Sequence, residues 1–303
     1  MRRVGFVGVG HLGAHLAASL LRAGYPLTVH DRDREAAARL IAAGADWADS
    51  PRDAAIRSDC VITCLPSPDA VIAVVTGEDG VLAGLRPGGT WIDTSTNDRH
   101  ELQRLAALAA KQGVVTLEAP VTGGVHKAAE GEITVLVGGD AAAFAEHLEL
   151  FRAVGGAVFH IGPLGSASVI KVITNMLAFI HLVAAGEALM LARRAGLDLA
   201  QAYEVIKASS GSSFVHETES QLILNGSYDI GFTMDLAMKD LGFAHELGDE
   251  LGVPLELATL TEEIFARGRA AYGGGAWSTM VVKLLEDRLG TDLRAPGFPA
   301  ALQ

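Results

Sequence analysis

Cysteine is nearly absent: the 303 residues hold two. Cys60 and Cys64 share one apolar run, Cys60-Val61-Ile62-Thr63-Cys64-Leu65, and on a strand they would share a face yet stand too far apart to bridge. A disulfide-stapled fold is excluded, and free thiols packed in a core suit a reducing compartment. Positive charge is also scarce, 24 lysines and arginines against 36 acids, for a net of −12. Such a chain suits a nucleic-acid backbone poorly, and it must bind small anions with individually placed basic groups. No signal segment precedes the first apolar run, which starts at Val4, so the expected location is the cytoplasm. No metal site is expected. The most apolar stretch, residues 169–192, is interrupted by Lys171, Asn175, His181 and Glu187. It reads as a long helix buried between domains and not as a membrane span, which needs about 20 apolar residues nearly free of charge. What remains is globular in composition, 50% hydrophobic and 20% charged, and long enough for more than one domain.

The start of the chain carries the most information. Val4 to Val9 reads as a buried strand, Gly8-Val9-Gly10-His11-Leu12-Gly13 follows, and Leu16, Leu20 and Leu21 mark a helix. A second strand, from Leu27, ends at His30-Asp31-Arg32. Strand, Gly-x-Gly-x-x-Gly, helix, strand and acid form the fingerprint of a dinucleotide site. Gly8 allows a tight turn, Gly10 lets backbone approach a pyrophosphate, and Gly13 lets helix pack close to strand. The helix N-terminus faces the phosphate charge. Asp31 can accept hydrogen bonds from a ribose diol and would repel a 2'-phosphate, which favours NAD. The adjacent Arg32 can pair with a 2'-phosphate, so NADP stays open. The cofactor-binding set from this segment is Gly8, Val9, Gly10, His11, Leu12, Gly13, Asp31 and Arg32.

Strand patterns at 4–9, 27–30, 60–65, 90–93, 114–117, 133–137 and 157–161 alternate with helical ones at 12–23, 34–43, 69–75, 98–111 and 141–152. The fold class is α/β, a mostly parallel, doubly wound sheet of Rossmann type over residues 1–163. Gly162-Pro163 closes it. A long interdomain helix (164–194) and an all-helical domain (195–303) follow, the latter with helical patterns at 199–209, 213–224, 233–250, 255–269 and 276–288.

Lys171 and Asn175 are four residues apart and share a face of the long helix. A lysine on so apolar a helix is there either because it snorkels near the helix start or because it is a buried general acid–base. Helix physics alone leaves both open. Two other segments end strands at the sheet's carboxyl edge, where open α/β sheets bind ligands. Asp93-Thr94-Ser95-Thr96 offers hydroxyls, with Ser95 a candidate substrate contact. Thr122-Gly123-Gly124 offers a hydroxyl and two unshielded N–H groups, either a carboxylate cradle or an ordinary Gly-Gly turn.

Taken in order, these motifs resemble the β-hydroxyacid dehydrogenase family, which includes 3-hydroxyisobutyrate dehydrogenases and tartronate semialdehyde reductases. The resemblance runs from Val4 to about Leu289. It rests on the Gly8/Gly10/Gly13 loop, Asp93-Thr94-Ser95-Thr96, Ala119-Pro120-Val121-Thr122-Gly123-Gly124, Gly162-Pro163-Leu164-Gly165 through Lys171 to Asn175, and Lys239-Asp240-Leu241. It implies a catalytic Lys171, with Asn175 holding the substrate and Thr122, Gly123 and Gly124 binding its carboxylate. It also implies that Leu65, Pro66 and Thr96 line the cofactor, that Lys239 approaches cofactor and substrate, and that Phe232 lies near the nicotinamide. The implied activity is reversible hydride transfer between NAD or NADP and a small β-hydroxyacid, in a homodimer or homotetramer. Imine reductases and catalytically silent modules of the same scaffold are the alternatives. Both typically lack the lysine. Thr122 stands where most relatives have Ser, and Glu118 replaces a common Asp, with no consequence expected. His126-Lys127 replaces small residues just past the cradle, either as two solvated side chains or as a contact for a second anionic group on the substrate.

Overall fold

The computed structural model describes residues 2–302. They form two compact units that divide after Lys171. The first unit runs β1 (Val4–Val7), α1 (Gly13–Arg22), β2 (Leu27–His30), a 3-10 turn leading into α2 (Ala38–Ala42), β3 (Asp46–Trp47), α3 (Pro51–Ile56) and β4 (Cys60–Thr63). It continues through α4 (Pro68–Thr76), α5 (Val81–Gly84), β5 (Thr90–Asp93), α6 (Arg99–Lys111), β6 (Val115–Glu118), β7 (Val121–Thr122), α7 (Gly124–Glu130), β8 (Ile133–Gly138), α8 (Ala141–Val154) and β9 (Gly155–Gly162). The long α9 (Ser166–Arg194) crosses the division.

The strands form one sheet in the order β3-β2-β1-β4-β5-β6-β8-β7, with β9 on β8. From β3 through β6 every pairing is parallel, and β8 enters antiparallel. Neighbouring residues on a strand point to opposite faces. Phe6, Ile62 and Ile92 therefore enter one core with Leu16 and Leu20 of α1. Val7, Val61 and Trp91 enter another with Val71 of α4 and Leu102 of α6. With both faces covered, the sheet exposes function only at its edges.

The order reverses at β1, which sits between β2 and β4. Parallel pairing then brings the carboxyl ends of β1, β2, β4, β5 and β6 to one edge, the edge that binds ligands in such sheets. Loops 8–13, 31–33, 64–67, 94–98 and 119–120 all leave from it.

The second unit adds α10 (Leu199–Lys207), α11 (Phe214–Asn225), α12 (Met234–Leu251), α13 (Glu256–Tyr272), a 3-10 turn and α14 (Lys283–Leu289). Its core gathers Phe179, Leu182, Leu189 and Met190 of α9 with Ile223, Leu241 and Phe265. By length and composition α9 is apolar enough to cross a membrane, and 33% of its most apolar window is buried.

Several boundaries differ from the sequence expectation. β1 stops at Val7 because Gly8 leaves the extended region (φ +94°). The helix expected as a separate connector is shared between the units, its first six residues belonging to the first. The short elements β3, α3, α5, β7 and α7 are additions, each of seven residues or fewer. Cys60 is fully buried in β4, and burial pushes its thiol up to about 12, so it packs as a small apolar side chain.

Candidate active site

The glycine loop has the geometry its spacing requires. A side chain on Gly8 would start 2.3 Å from the Cys64 carbonyl oxygen, and one on Gly13 would start 2.0 Å from the Gly8 oxygen. Both therefore hold backbone against backbone. Gly10 is different: it is exposed, and nothing stands within 4 Å of where its Cβ would be. Nothing in the protein's own packing demands glycine at 10, so the bare backbone there is free for a ligand. α1 follows with no acid in its first turn, which leaves its positive end for an anion. Asp31 closes the loop from the side. Its Oδ2 accepts the Val9 N–H at 2.8 Å and its Oδ1 accepts the Asp33 N–H at 3.0 Å. A carboxylate so placed keeps acceptor capacity for a diol. Arg32 is exposed, and it is Arg34 that stacks over the Trp47 ring, at 5.4 Å. These residues fit a dinucleotide.

At the ends of β4 and β5 a buried hydrogen-bond relay replaces the open hydroxyls expected there. Asp93 is 1% exposed. It accepts from Thr63 Oγ1 at 2.8 Å, Ser95 Oγ at 2.7 Å, Ser95 N at 3.2 Å and Asn97 Nδ2 at 3.2 Å. Burial raises its carboxyl above the ordinary range, while these donors pull the other way. Trp91 Nε1 donates to Thr63 Oγ1 at 2.9 Å. Ser95 Oγ in turn accepts the Leu65 N–H at 2.9 Å. The Ser95 hydroxyl is thus committed to Asp93 and to the loop of Leu65 and Pro66. Its hydrogen bonds tie the loop of Leu65 and Pro66 to Asp93. Thr96 follows on the same loop.

Thr122 lies in β7, paired with Thr134 of β8. Gly123 (φ +123°) and Gly124 (φ +86°) both adopt backbone that L side chains avoid, so this turn requires its glycines. The His126 ring covers Gly124, its Nδ1 standing 3.1 Å from where a Cβ would be, and burial lowers its pKa. Lys127 is already engaged. Its Nζ donates to Glu130 Oε2 at 2.8 Å and to Glu132 Oε2 at 3.0 Å. Two carboxylates offset its charge, which argues against its meeting a second anionic group of a substrate.

Lys171 sits in the second turn of α9 and is 8% exposed. Asn175 lies one turn further along the same face. Within the second unit, Asn175 Nδ2 donates to Asp240 Oδ2 at 2.6 Å. Lys239 Nζ stands 2.7 Å from Asp240 Oδ1, an ion pair off the hydrogen-bonding direction, and 4.9 Å from the Phe243 ring centre. Asp240, 1% exposed, holds both side chains, a role the sequence reading had not given it. The signal was the acid next to Lys239 on a helix otherwise facing a core. Phe232 packs on Phe179, ring centres 6.0 Å apart. Among the described residues no group of three or more His, Cys, Asp or Glu could hold a metal.

Residues 3–162 match the model of the NAD binding domain of 6-phosphogluconate dehydrogenase, and residues 165–285 that of the NAD-binding domain of NADP-dependent 3-hydroxyisobutyrate dehydrogenase. The chain is 32% identical over 292 residues to a 2-(hydroxymethyl)glutarate dehydrogenase of Eubacterium barkeri, covering 96% of this chain and 97% of that one. It is 37% identical over 253 residues to an NAD-dependent L-serine dehydrogenase of Pseudomonas aeruginosa, covering 81% and 85%. Among solved structures, a 3-hydroxyisobutyrate dehydrogenase from Salmonella typhimurium superposes with a TM-score of 0.86 at 34% identity, covering 93% of this chain and 99% of that one.

Proposed function

Because this chain belongs to the β-hydroxyacid dehydrogenase family, and is an NAD(P)-dependent oxidoreductase acting on CH–OH groups, we propose that Lys171 is its general acid–base. The observation that carries this reading is a lysine held buried on an apolar helix, with an amide one turn away. In oxidation Lys171 Nζ takes the proton of a hydroxyl on the carbon β to a carboxylate. In reduction it returns that proton to the developing alkoxide, where a cationic donor stabilises the charge that builds up. The bound nicotinamide supplies the hydride acceptor or donor. Thr122 with the N–H groups of Gly123 and Gly124 binds the substrate carboxylate, and Asn175 steadies the substrate. The glycine loop, Leu65, Pro66 and Thr96 hold the cofactor. Lys239 approaches cofactor and substrate and Phe232 the nicotinamide, as the family likeness implies, and Asp240 holds Lys239.

Asp31 supports NAD over NADP, since a 2'-phosphate would meet its charge. L-serine and 2-(hydroxymethyl)glutarate, for which two relatives are named, share a primary alcohol β to a carboxylate, and that group defines the substrate class proposed here. The exposed Ile173, Leu177 and Leu191 on α9 support a homodimer or homotetramer, and the unpaired thiols suit the cytoplasm. The test is turnover at 340 nm with NAD and NADP against 3-hydroxyisobutyrate, L-serine, glycerate, threonate and β-hydroxy dianions, with semialdehydes in reverse. NAD-linked turnover of one β-hydroxyacid is expected. Cofactor binding without turnover of any member would overturn the substrate class.

A further inference from the structure

We propose that Glu118 is a positioning residue for the reaction: from the end of β6 it grips the start of α9 and so sets where Lys171 stands. The inference rests on the reading of Lys171 as general acid–base. Glu118 is 1% exposed, and among the described residues no lysine, arginine or histidine forms an ion pair with it. Its partners are instead the opening of the helix. Oε1 accepts the Gly165 N–H at 2.5 Å and the Ala167 N–H at 2.9 Å. Oε2 accepts the Ser168 N–H at 2.9 Å and the Ser168 hydroxyl at 2.5 Å. The remaining amide of the turn, Ser166 N–H, goes to the Pro163 oxygen at 3.0 Å. The first turn of a helix has no internal partners for these groups, and here one carboxylate takes most of them. An anion at that end also meets the positive pole of the helix.

The grip is stiff at both ends. Glu118 is paired with Asp93 of β5 on one side and Gly138 of β8 on the other. A Cβ on Gly138 would stand 2.1 Å from Glu118 Oε1, so the space for the carboxylate exists only because residue 138 is glycine. Lys171 follows Ser168 by three residues, about 4.5 Å along the axis on the same side of the helix. A displacement of the first turn is therefore passed to the amine almost undiminished. About 1 Å of misplacement at a reacting group costs on the order of 100-fold in rate. The replacement of the common Asp by Glu, expected to be without consequence, falls at the point where carboxylate reach decides the fit.

Glu118→Gln keeps the length but turns an NH2 toward an N–H, so at least one helix amide loses its acceptor. The experiment is a double-mutant cycle of Glu118→Gln with Lys171→Ala. It measures kcat for the best substrate of the panel at saturating NAD, and NAD affinity by protein fluorescence. Glu118→Gln alone should lower kcat tenfold or more with NAD affinity within twofold, and should change the residual kcat of Lys171→Ala by less than twofold. An unchanged kcat, an equal loss in both backgrounds, or a loss of NAD affinity matching the loss of kcat would overturn the proposal. A Lys171→Ala variant that keeps more than a tenth of wild-type turnover removes the general-base reading and this inference with it. A dead Lys171→Ala beside an indifferent Glu118→Gln removes this inference alone. If Glu118→Gln does not fold, Ser168→Ala takes its place in the cycle, with a threefold loss of kcat expected and wild-type kcat as the refutation.

Discussion

Gly10→Ala separates binding from folding at a single methyl group. Gly10 has ordinary backbone geometry, is exposed, and has nothing within 4 Å of the new Cβ. The free protein should accept alanine without strain and should gain up to about 1 kcal/mol, because the unfolded chain loses freedom. The same methyl would stand where the pyrophosphate must approach the backbone. Overpacking of that kind costs about 1–3 kcal/mol, or roughly 5- to 150-fold in NAD affinity. Gly8→Ala provides the contrast: its φ of +94° and a 2.3 Å contact with the Cys64 oxygen both oppose a side chain. That variant should unfold at distinctly lower temperature whether or not NAD is present. Thermal melts and NAD titrations followed by fluorescence test both. A Gly10→Ala protein that melts as wild type and binds NAD as wild type would refute the placement of the dinucleotide on this loop.

Asp31→Asn should weaken NAD binding and narrow the NAD-over-NADP preference at least tenfold, read as the ratio of kcat/KM values. An unchanged ratio would remove Asp31 from cofactor selection. Asp93 bears on stability against pH. Burial raises its folded pKa above the unfolded value, so its contribution is fully present in acid below the unfolded pKa and is lost as pH rises through the folded one. In Asp93→Asn that decline should vanish from urea midpoints compared between pH 4 and 7, and a profile parallel to wild type would refute it. Lys127→Ala should leave KM unchanged for every substrate, including dianions, and leave the melting temperature close to wild type, since a solvent-screened pair contributes little. A KM that rises for dianions alone would restore the second-anion role.

The parts legible in the sequence are those whose causes are local. Gly13 meets the Gly8 carbonyl five residues away, a closeness that the Gly-x-Gly-x-x-Gly spacing marks, whereas the Cys64 carbonyl against Gly8 comes from a distant strand end. The parallel sheet was legible because buried strands read as apolar runs and the helices between them as 3.6-residue periods. Two-residue strands such as Asp46–Trp47 have no period to detect. The Ser50 cap and Pro51 that open α3 were a readable signal, but six residues of helix gave no apolar stripe to attract attention. At the site, the residues missed are the supporting acids. Glu118 finds its partners 47 to 50 positions away, and no local pattern shows that. Ser95 was legible as a hydroxyl at the right edge, while its use depended on Asp93 and the Leu65 amide, brought together only by the sheet.

The most direct measurement on Lys171 is turnover of a β-hydroxyacid at 340 nm by wild-type and Lys171→Ala protein at saturating NAD, with NAD affinity measured on the same samples. NAD-linked turnover is expected of the wild type, less than about a hundredth of it in the variant, and equal NAD affinity in both, because a positioned acid–base group contributes about 100- to 10,000-fold. A variant with wild-type NAD affinity that keeps more than a tenth of the turnover would contradict the general acid–base role of Lys171.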